Sequence, residues 1–425
     1  MLIDFSVQNY RSFFQRQTLS LKATRITEFQ ENVFLEDSSQ SKLLKVMSVY
    51  GANSSGKSNL LRAMGRMKAI LFENFQQRSN ESISHDPFLL SEKSGEEPTV
   101  FEILFATKMH VYRYGFEFNE SKFTGEWLFE HKGKEQHPYF IRIEDGIQVF
   151  ETFLEGNDLE EKTRDNALFL SVVNQFNGPI SKEVIDWFNN FNIIDGVGHT
   201  DYRAVTFKML EDDSTKAKLM DFYRGLDLGF NNLFIDKTPF DPSKLPFEIP
   251  QEVADQMSVD MQGRMMASLN SIHDVFDDSG VKTREENFHV RTQESSGTNK
   301  IIDLSGPIFD TLLDGGTLVI DELDAKLHPH LTIALIRLFQ LDETNPKKAQ
   351  LIFATHNTNI LSLGRLRRDQ IIFSEKTHQQ CTEIYSLVDY KLDKGKVRKD
   401  NSFEKDYLLG RYGAVPSISD LSTPN

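Results

Sequence analysis

The sequence predicts an α/β fold: a mixed sheet around a glycine-loop core, with a mixed α/β subdomain inserted into the middle of the chain. Three observations predict it. At residues 49–64, "VYGANSSGKSNLLRAM" places a glycine-rich loop between an apolar strand and a run with helical spacing. After residue 288, apolar strands alternate with helical segments, the pattern of a mostly parallel sheet. Between about 120 and 285 that regularity fades, which divides the chain into 1–119, 120–285 and 286–425.

Each element follows from its local pattern. "MLIDFSVQNY" and "QTLSLKATR" carry the apolar alternation of strands, and "KLLKVMSVY" reads as a buried strand feeding the glycine loop. From Ser58 onward, Leu60, Leu61, Met64, Met67 and Leu71 recur every three or four residues, as in a helix. Residues 99–106 and 110–118 read as further strands. Helices are expected at 165–176 and 180–190, followed by an acidic, broken stretch from 210 to 250. Met257, Met261, Met265 and Met266 keep helical spacing, which predicts a packed helix. "ENFHVRTQESSGTNKIIDLSGPIFDTLLDGG" then reads as strand, loop and helix, "GTLVIDELD" as a buried strand, "HPHLTIALIRLFQL" as a helix and "AQLIFATHNTNIL" as another strand.

Composition narrows the function. The chain has 425 residues and a net charge of −15, which argues against a surface coated in phosphate-binding bases. The basic stretch "KLDKGKVRK" at 391–399 reads as a solvated hairpin or loop, and DNA binding is left open. One cysteine, Cys381, rules out an intramolecular disulfide framework. Asp4 and Arg11 fall where a signal peptide would be apolar, and no apolar run is long enough to span a bilayer. The expected location is the cytoplasm, with no membrane association.

Four constellations carry chemistry. Gly51, Gly56, Lys57 and Ser58 satisfy G-x-x-x-x-G-K-[ST], a loop whose N–H groups cradle phosphates. Asn53, Ser54, Ser55, Gly56, Lys57, Ser58 and Asn59 are thus the candidate nucleotide contacts, with Ser58 also a candidate Mg²⁺ ligand. "TLVIDELDAKLHPH" brings Asp321 and Glu322 to the C-terminal end of a strand, where ligands of open α/β sheets collect. There Asp321 would hold Mg²⁺ and Glu322 would activate water. An acid pair in this position also suits a helix cap or surface turn when it stands alone. "FATHNTNIL" puts His356 after another buried strand, where a histidine could reach a γ-phosphate. "ESSGTNKIIDL" puts Ser295, Ser296 and Gly297 at a helix start, suited to an anion or to ordinary capping.

In this order, the phosphate loop, the serine-glycine segment, "VIDE" and the strand histidine resemble the ATP-binding-cassette (ABC-type) ATPase heads of SMC, RecF and overcoming-lysogenization-defect (OLD) proteins. That resemblance implies ATP and Mg²⁺ as cofactors and a homo-oligomer, a dimer or ring of dimers, with ATP at the interface. Ser296 and Gly297 of one protomer would touch the γ-phosphate held by the other. It also implies Glu322 as catalytic base, His356 as switch histidine, and Arg11 of "NYRSF" near the nucleotide. Over nearly the whole chain, "ENFHVRTQESSGTNKIIDL", "IDELDAKLHPHLT" and "RKDNSFEKDYLLGRYGAVPSI" are similar to RloA-like bacterial ATPases of restriction and anti-phage loci. This narrower resemblance implies a sensor or scaffold ATPase controlling a separately encoded Toprim-type nuclease and answering a phage-derived trigger. A RecF-like clamp on DNA is the alternative. His328 in "KLHP" is similar to the OLD branch, whereas Gln76 and Gln77 lie too early for a Q-loop.

Overall fold

Five consecutive buried residues, Val46–Tyr50, make a strand with no solvent face, and such a strand needs neighbours on both sides. It has them. The computed structural model describes residues 1–73, 82–133, 135–197, 202–241, 253, 256, 258, 260, 261, 263–392, 395–397 and 402–416. In it, Val46–Tyr50 lies between Gln350–Ala354 and Ile371–Lys376, parallel to both. Thr317–Asp321 and Phe191–Asp195 extend the parallel run on one side, and Thr382–Ser386 closes the other edge antiparallel. The result is a six-stranded mixed sheet.

A second sheet is antiparallel and seven-stranded. Its spatial order is Gly146–Val149, Glu135–Ile143, Phe123–Lys132, Val111–Phe118, Thr99–Ala106, Leu2–Gln8 and Gln17–Ser20. One continuous apolar cluster joins the sheets. It contains Val49, Val319 and Ile352 of the parallel strands, Leu61, Met64 and Met67 of the helix Lys57–Glu73, and Phe101, Tyr114 and Phe116 of the antiparallel strands. The glycine-loop helix is therefore a core element, and its apolar stripe is the one the sequence displays.

By contacts the chain forms two compact units, one of residues 1–197 with 311–425 and one of 198–310. The second unit has the helices Arg203–Glu211 and Asp213–Gly225 and the three strands Asn232–Pro239, Met265–Phe276 and Lys282–His289. Its last boundary falls inside the helix Ser296–Asp314.

The methionine run is a correction. Met265 and Met266 begin a strand and are largely exposed, at 55% and 43%, and Met261 sits in a turn; Met257 lies outside the described residues. The decisive period in this stretch is two rather than 3.6: Leu269 and Ser271 are buried alternately while the strand pairs on both edges. Gln76 and Gln77 also lie outside the described residues. In the basic stretch, Lys391–Leu392 pairs antiparallel with Gly395–Lys396. Cys381 is buried. Among the described residues, no helix is long and apolar enough to cross a membrane.

Candidate functional site

The buried strand Val46–Tyr50 delivers its loop to the C-terminal edge of the parallel sheet, and the helix Lys57–Glu73 leaves from the same point. Glycine is required at two places. Gly56 has φ +107°, and a Cβ there would overlap the Thr382 side chain; a Cβ on Gly51 would strike the Ser374 carbonyl and Ser55. The loop is also braced from neighbouring strands. The Ser55 carbonyl accepts from Ser374 Oγ at 3.0 Å and lies 2.9 Å from Thr382 Oγ1. Thr382 Oγ1 is in turn 2.8 Å from Ser12 Oγ, which accepts from the Asn59 amide at 2.9 Å.

Lys57 is 6% exposed, and its ammonium donates to the carbonyls of Gly51 (2.8 Å) and Ala52 (2.9 Å). Burial lowers its pKa to about 8, against the upward pull of Asp321, Glu322 and Asp324. Those acids follow from the strand Thr317–Asp321, whose first four residues are buried. Glu322 has a left-handed backbone, φ 51°, where the chain turns out of the sheet. Behind the pair, the Gly196 N–H donates to the Asp321 carbonyl at 2.7 Å, and a Cβ on Gly196 would overlap the carbonyls of both acids. Asp321 Oδ1 is buried with no hydrogen-bond partner. A buried carboxylate oxygen left without a donor suits a hard cation such as Mg²⁺.

His356 follows the strand Gln350–Ala354 and is exposed. Desolvation by its surroundings and the positive charge of Lys57 hold its pKa below the ordinary histidine value, while Asp324, Glu322 and Asp321 pull it up. A cavity of about 480 Å³ is lined by Ser12, the run from Asn53 through Asn59, Arg62, Glu322, His356 and Lys376, while Asp321 is not part of its lining. A larger cavity of about 910 Å³, lined by Thr107, Glu183, Trp187, Thr317 and Lys348 among others, contains none of the motif residues, so the chemistry selects the smaller one.

The structure does not bring every candidate to this cavity. Arg11 does not line it. Its backbone turns left-handed, φ 50°, and its guanidinium pairs with Asp86 at 3.1 Å. The neighbouring Ser12 faces the cavity instead. Ser295, Ser296 and Gly297 belong to the second unit. There Ser295 Oγ accepts the Thr298 N–H at 3.0 Å, and the Asn299 amide donates to the carbonyls of Val290, Glu294 and Ser295. Ser12, Arg62, Gly196, Lys376 and Thr382 were not among the candidates. Ser12 adjoins Arg11 and Arg62 lies one turn into the helix Lys57–Glu73, whereas Gly196, Lys376 and Thr382 are recognisable only once distant strands are paired.

A family profile described as "AAA domain, putative AbiEii toxin, Type IV TA system" matches residues 46–362. No protein of curated function matches the sequence. Among solved structures, the chain is similar to an SMC head domain from Thermotoga maritima at 13% identity and a TM-score of 0.42, covering 91% of this chain and 98% of that one. It is also similar to the recombination mediator protein RecF, solved as RecF-ATP in the RecFOR pathway. There the identity is 10%, the TM-score 0.29, and the coverage 84% of this chain and 93% of that one.

Proposed function

Because the chain belongs to that AAA-domain family, we propose that it is a Mg²⁺-dependent ATPase whose heads act as the sensing and regulatory subunit of an anti-phage system, controlling a separate Toprim-type nuclease. The observation that carries the ATPase reading is the shared cavity. Phosphate-loop residues, a lysine, a carboxylate and a histidine from three different strands line one volume of about 480 Å³. Loop N–H groups and Lys57 would bind the triphosphate. Asp321, through its unpartnered Oδ1, and Ser58 would hold Mg²⁺, which when bound neutralises charge on the outer phosphates. Glu322 would take the proton of the attacking water, and His356 would approach the γ-phosphate.

The defence role rests on the RloA-like sequence stretches and on the family's own description. Pairing of two heads, with Ser296 and Gly297 completing the partner's site, belongs to the same reading, as does division of the chain at about 120 and 285. The test uses purified protein. It should hydrolyse ATP, form at least a dimer, leave DNA and RNA intact, and retain a co-expressed Toprim nuclease until a phage-derived trigger is added. Nuclease activity intrinsic to this chain overturns the switch reading. DNA-stimulated hydrolysis without nuclease retention replaces it with a RecF-like clamp.

A further inference from the structure

The "GRYGAVP" ending has no part in the chemistry above, yet the segment 402–416 packs onto the head with a specific set of contacts. It is first closed on itself. Asp406, 5% exposed, accepts from Arg411 at 2.7 Å and from Tyr412 Oη at 3.1 Å, and Tyr407 Oη donates to the Ala414 carbonyl at 3.1 Å. It is then fastened to the edge strands. Tyr385 Oη donates to the Tyr412 carbonyl at 2.7 Å, and Gly413, φ +68°, sits where a Cβ would meet Glu375 and Tyr385.

Two further residues, Glu404 and Tyr407, reach the cavity's supports. The Glu404 carboxylate accepts from Thr358 Oγ1 at 3.2 Å and Ser362 Oγ at 2.8 Å, bracketing the start and end of the short helix that follows His356. The Tyr407 ring lies against Tyr50, centroids 5.9 Å apart, and stacks on Phe373 at 5.3 Å. Tyr50 ends the strand that feeds the phosphate loop, and its hydroxyl donates to the carbonyl of Asn357, next to His356, at 3.2 Å. One segment thus reaches the histidine loop by two routes, directly through Glu404 and indirectly through Tyr407 and Tyr50.

We propose that Glu404 and Tyr407 are positioning residues: the C-terminal segment is a clamp that fixes the His356 loop relative to the phosphate-loop strand. This inference rests on the ATPase reading of the cavity and adds a regulatory element to it. Loosening the segment releases the histidine without removing the nucleotide's anchors, because none of the phosphate-loop residues touches Glu404 in the bonds described. A half-buried glutamate held by two hydroxyls can be removed without opening the core.

The experiment compares wild type, Glu404→Ala, Glu404→Gln, His356→Ala and the double variant Glu404→Ala/His356→Ala, with Lys405→Ala as an exposed control. ATP affinity, kcat and amide hydrogen exchange over 355–363 are measured for each. The expected result is that Glu404→Ala leaves ATP affinity within about threefold, lowers kcat at least tenfold, and speeds exchange over 355–363 but not over 57–73. Glu404→Gln should recover most of kcat, because its amide oxygen still accepts from a hydroxyl. The double variant should be no slower than His356→Ala alone, since residues acting through one another are non-additive. Equal loss of affinity and kcat, additive effects in the double variant, or unchanged exchange over 355–363 overturns the clamp. If wild type does not hydrolyse ATP, the ATPase reading falls, and exchange over 355–363 alone decides the clamp.

Discussion

The ammonium of Lys57 donates to the carbonyl oxygen of Gly51 across 2.8 Å, so the loop's cation is held by the loop's own backbone. Burial keeps its pKa at about 8, two units or more below an ordinary lysine. An incoming triphosphate would supply the anionic partner that raises it again.

ATP affinity should therefore depend on pH in a defined direction. Below about 8 the lysine is already charged and affinity is level. Above 8, binding must take up a proton, and affinity should fall by about tenfold per unit at most until the pKa of the complex is reached. Titration calorimetry from pH 7 to 9.5 in buffers of differing ionisation enthalpy measures that uptake. Proton release on binding, or a flat profile, contradicts the assignment of Lys57 to the phosphates.

The brace behind the loop gives a second expectation. Thr382→Val removes a hydroxyl 2.9 Å from the Ser55 carbonyl and 2.8 Å from Ser12. Losing such a contact costs ~0.5–1.5 kcal/mol, a roughly two- to tenfold loss of ATP affinity if it is expressed at the loop. Gly56→Ala, by contrast, should abolish binding, since its φ of +107° and the Thr382 side chain leave no room for a methyl group. Equal, small effects from both variants would show that the loop is not held by Thr382.

Gly196 tests the acid pair from behind. A methyl group there overlaps the carbonyls of Asp321 and Glu322, so Gly196→Ala should displace both acids. Hydrolysis should fall by at least tenfold, while nucleotide binding in the absence of Mg²⁺ is preserved. Loss of Mg²⁺-free binding to the same extent would mean that the change reaches the phosphate loop.

The serine-glycine segment makes an assembly prediction. Ser296→Arg places a bulky cation at the start of the helix Ser296–Asp314. Each head should still bind ATP, while ATP-dependent dimerisation and hydrolysis are lost; light scattering with and without ATP reads this directly. A strictly monomeric wild type hydrolysing at full rate contradicts the paired-head reading.

The sequence made some parts of this site legible and hid others for physical reasons. The strand Val46–Tyr50 and helix Lys57–Glu73 stand out because one is wholly apolar and the other carries a clean stripe from Leu60 to Leu71. Asp321 and Glu322 were visible because they follow the apolar residues 318–320, and His356 because it lies two residues past the apolar residues 351–354. Met265 and Met266 misled because their spacing fits a helix, although strand pairing on both edges sets the local structure. The helix Asp213–Gly225 stayed hidden because only Leu219, Met220 and Tyr223 are buried on it. Arg11 carries the expected residue type, but a left-handed turn and Asp86 direct it elsewhere. Thr382 and Lys376 lie far along the chain from the loop they approach, and no local pattern marks such a contact.

The central claim is that Lys57 binds the nucleotide while Glu322 acts on the water. Its most direct measurement is ATP binding and single-turnover hydrolysis for Lys57→Ala and Glu322→Gln, side by side with wild type. Lys57→Ala should lose binding by more than tenfold. Glu322→Gln should bind ATP as wild type does yet hydrolyse it ~10²–10⁴ times more slowly, the usual range for removing a general base. Equal loss of affinity in the two variants, or full-rate hydrolysis by Glu322→Gln, would contradict the account.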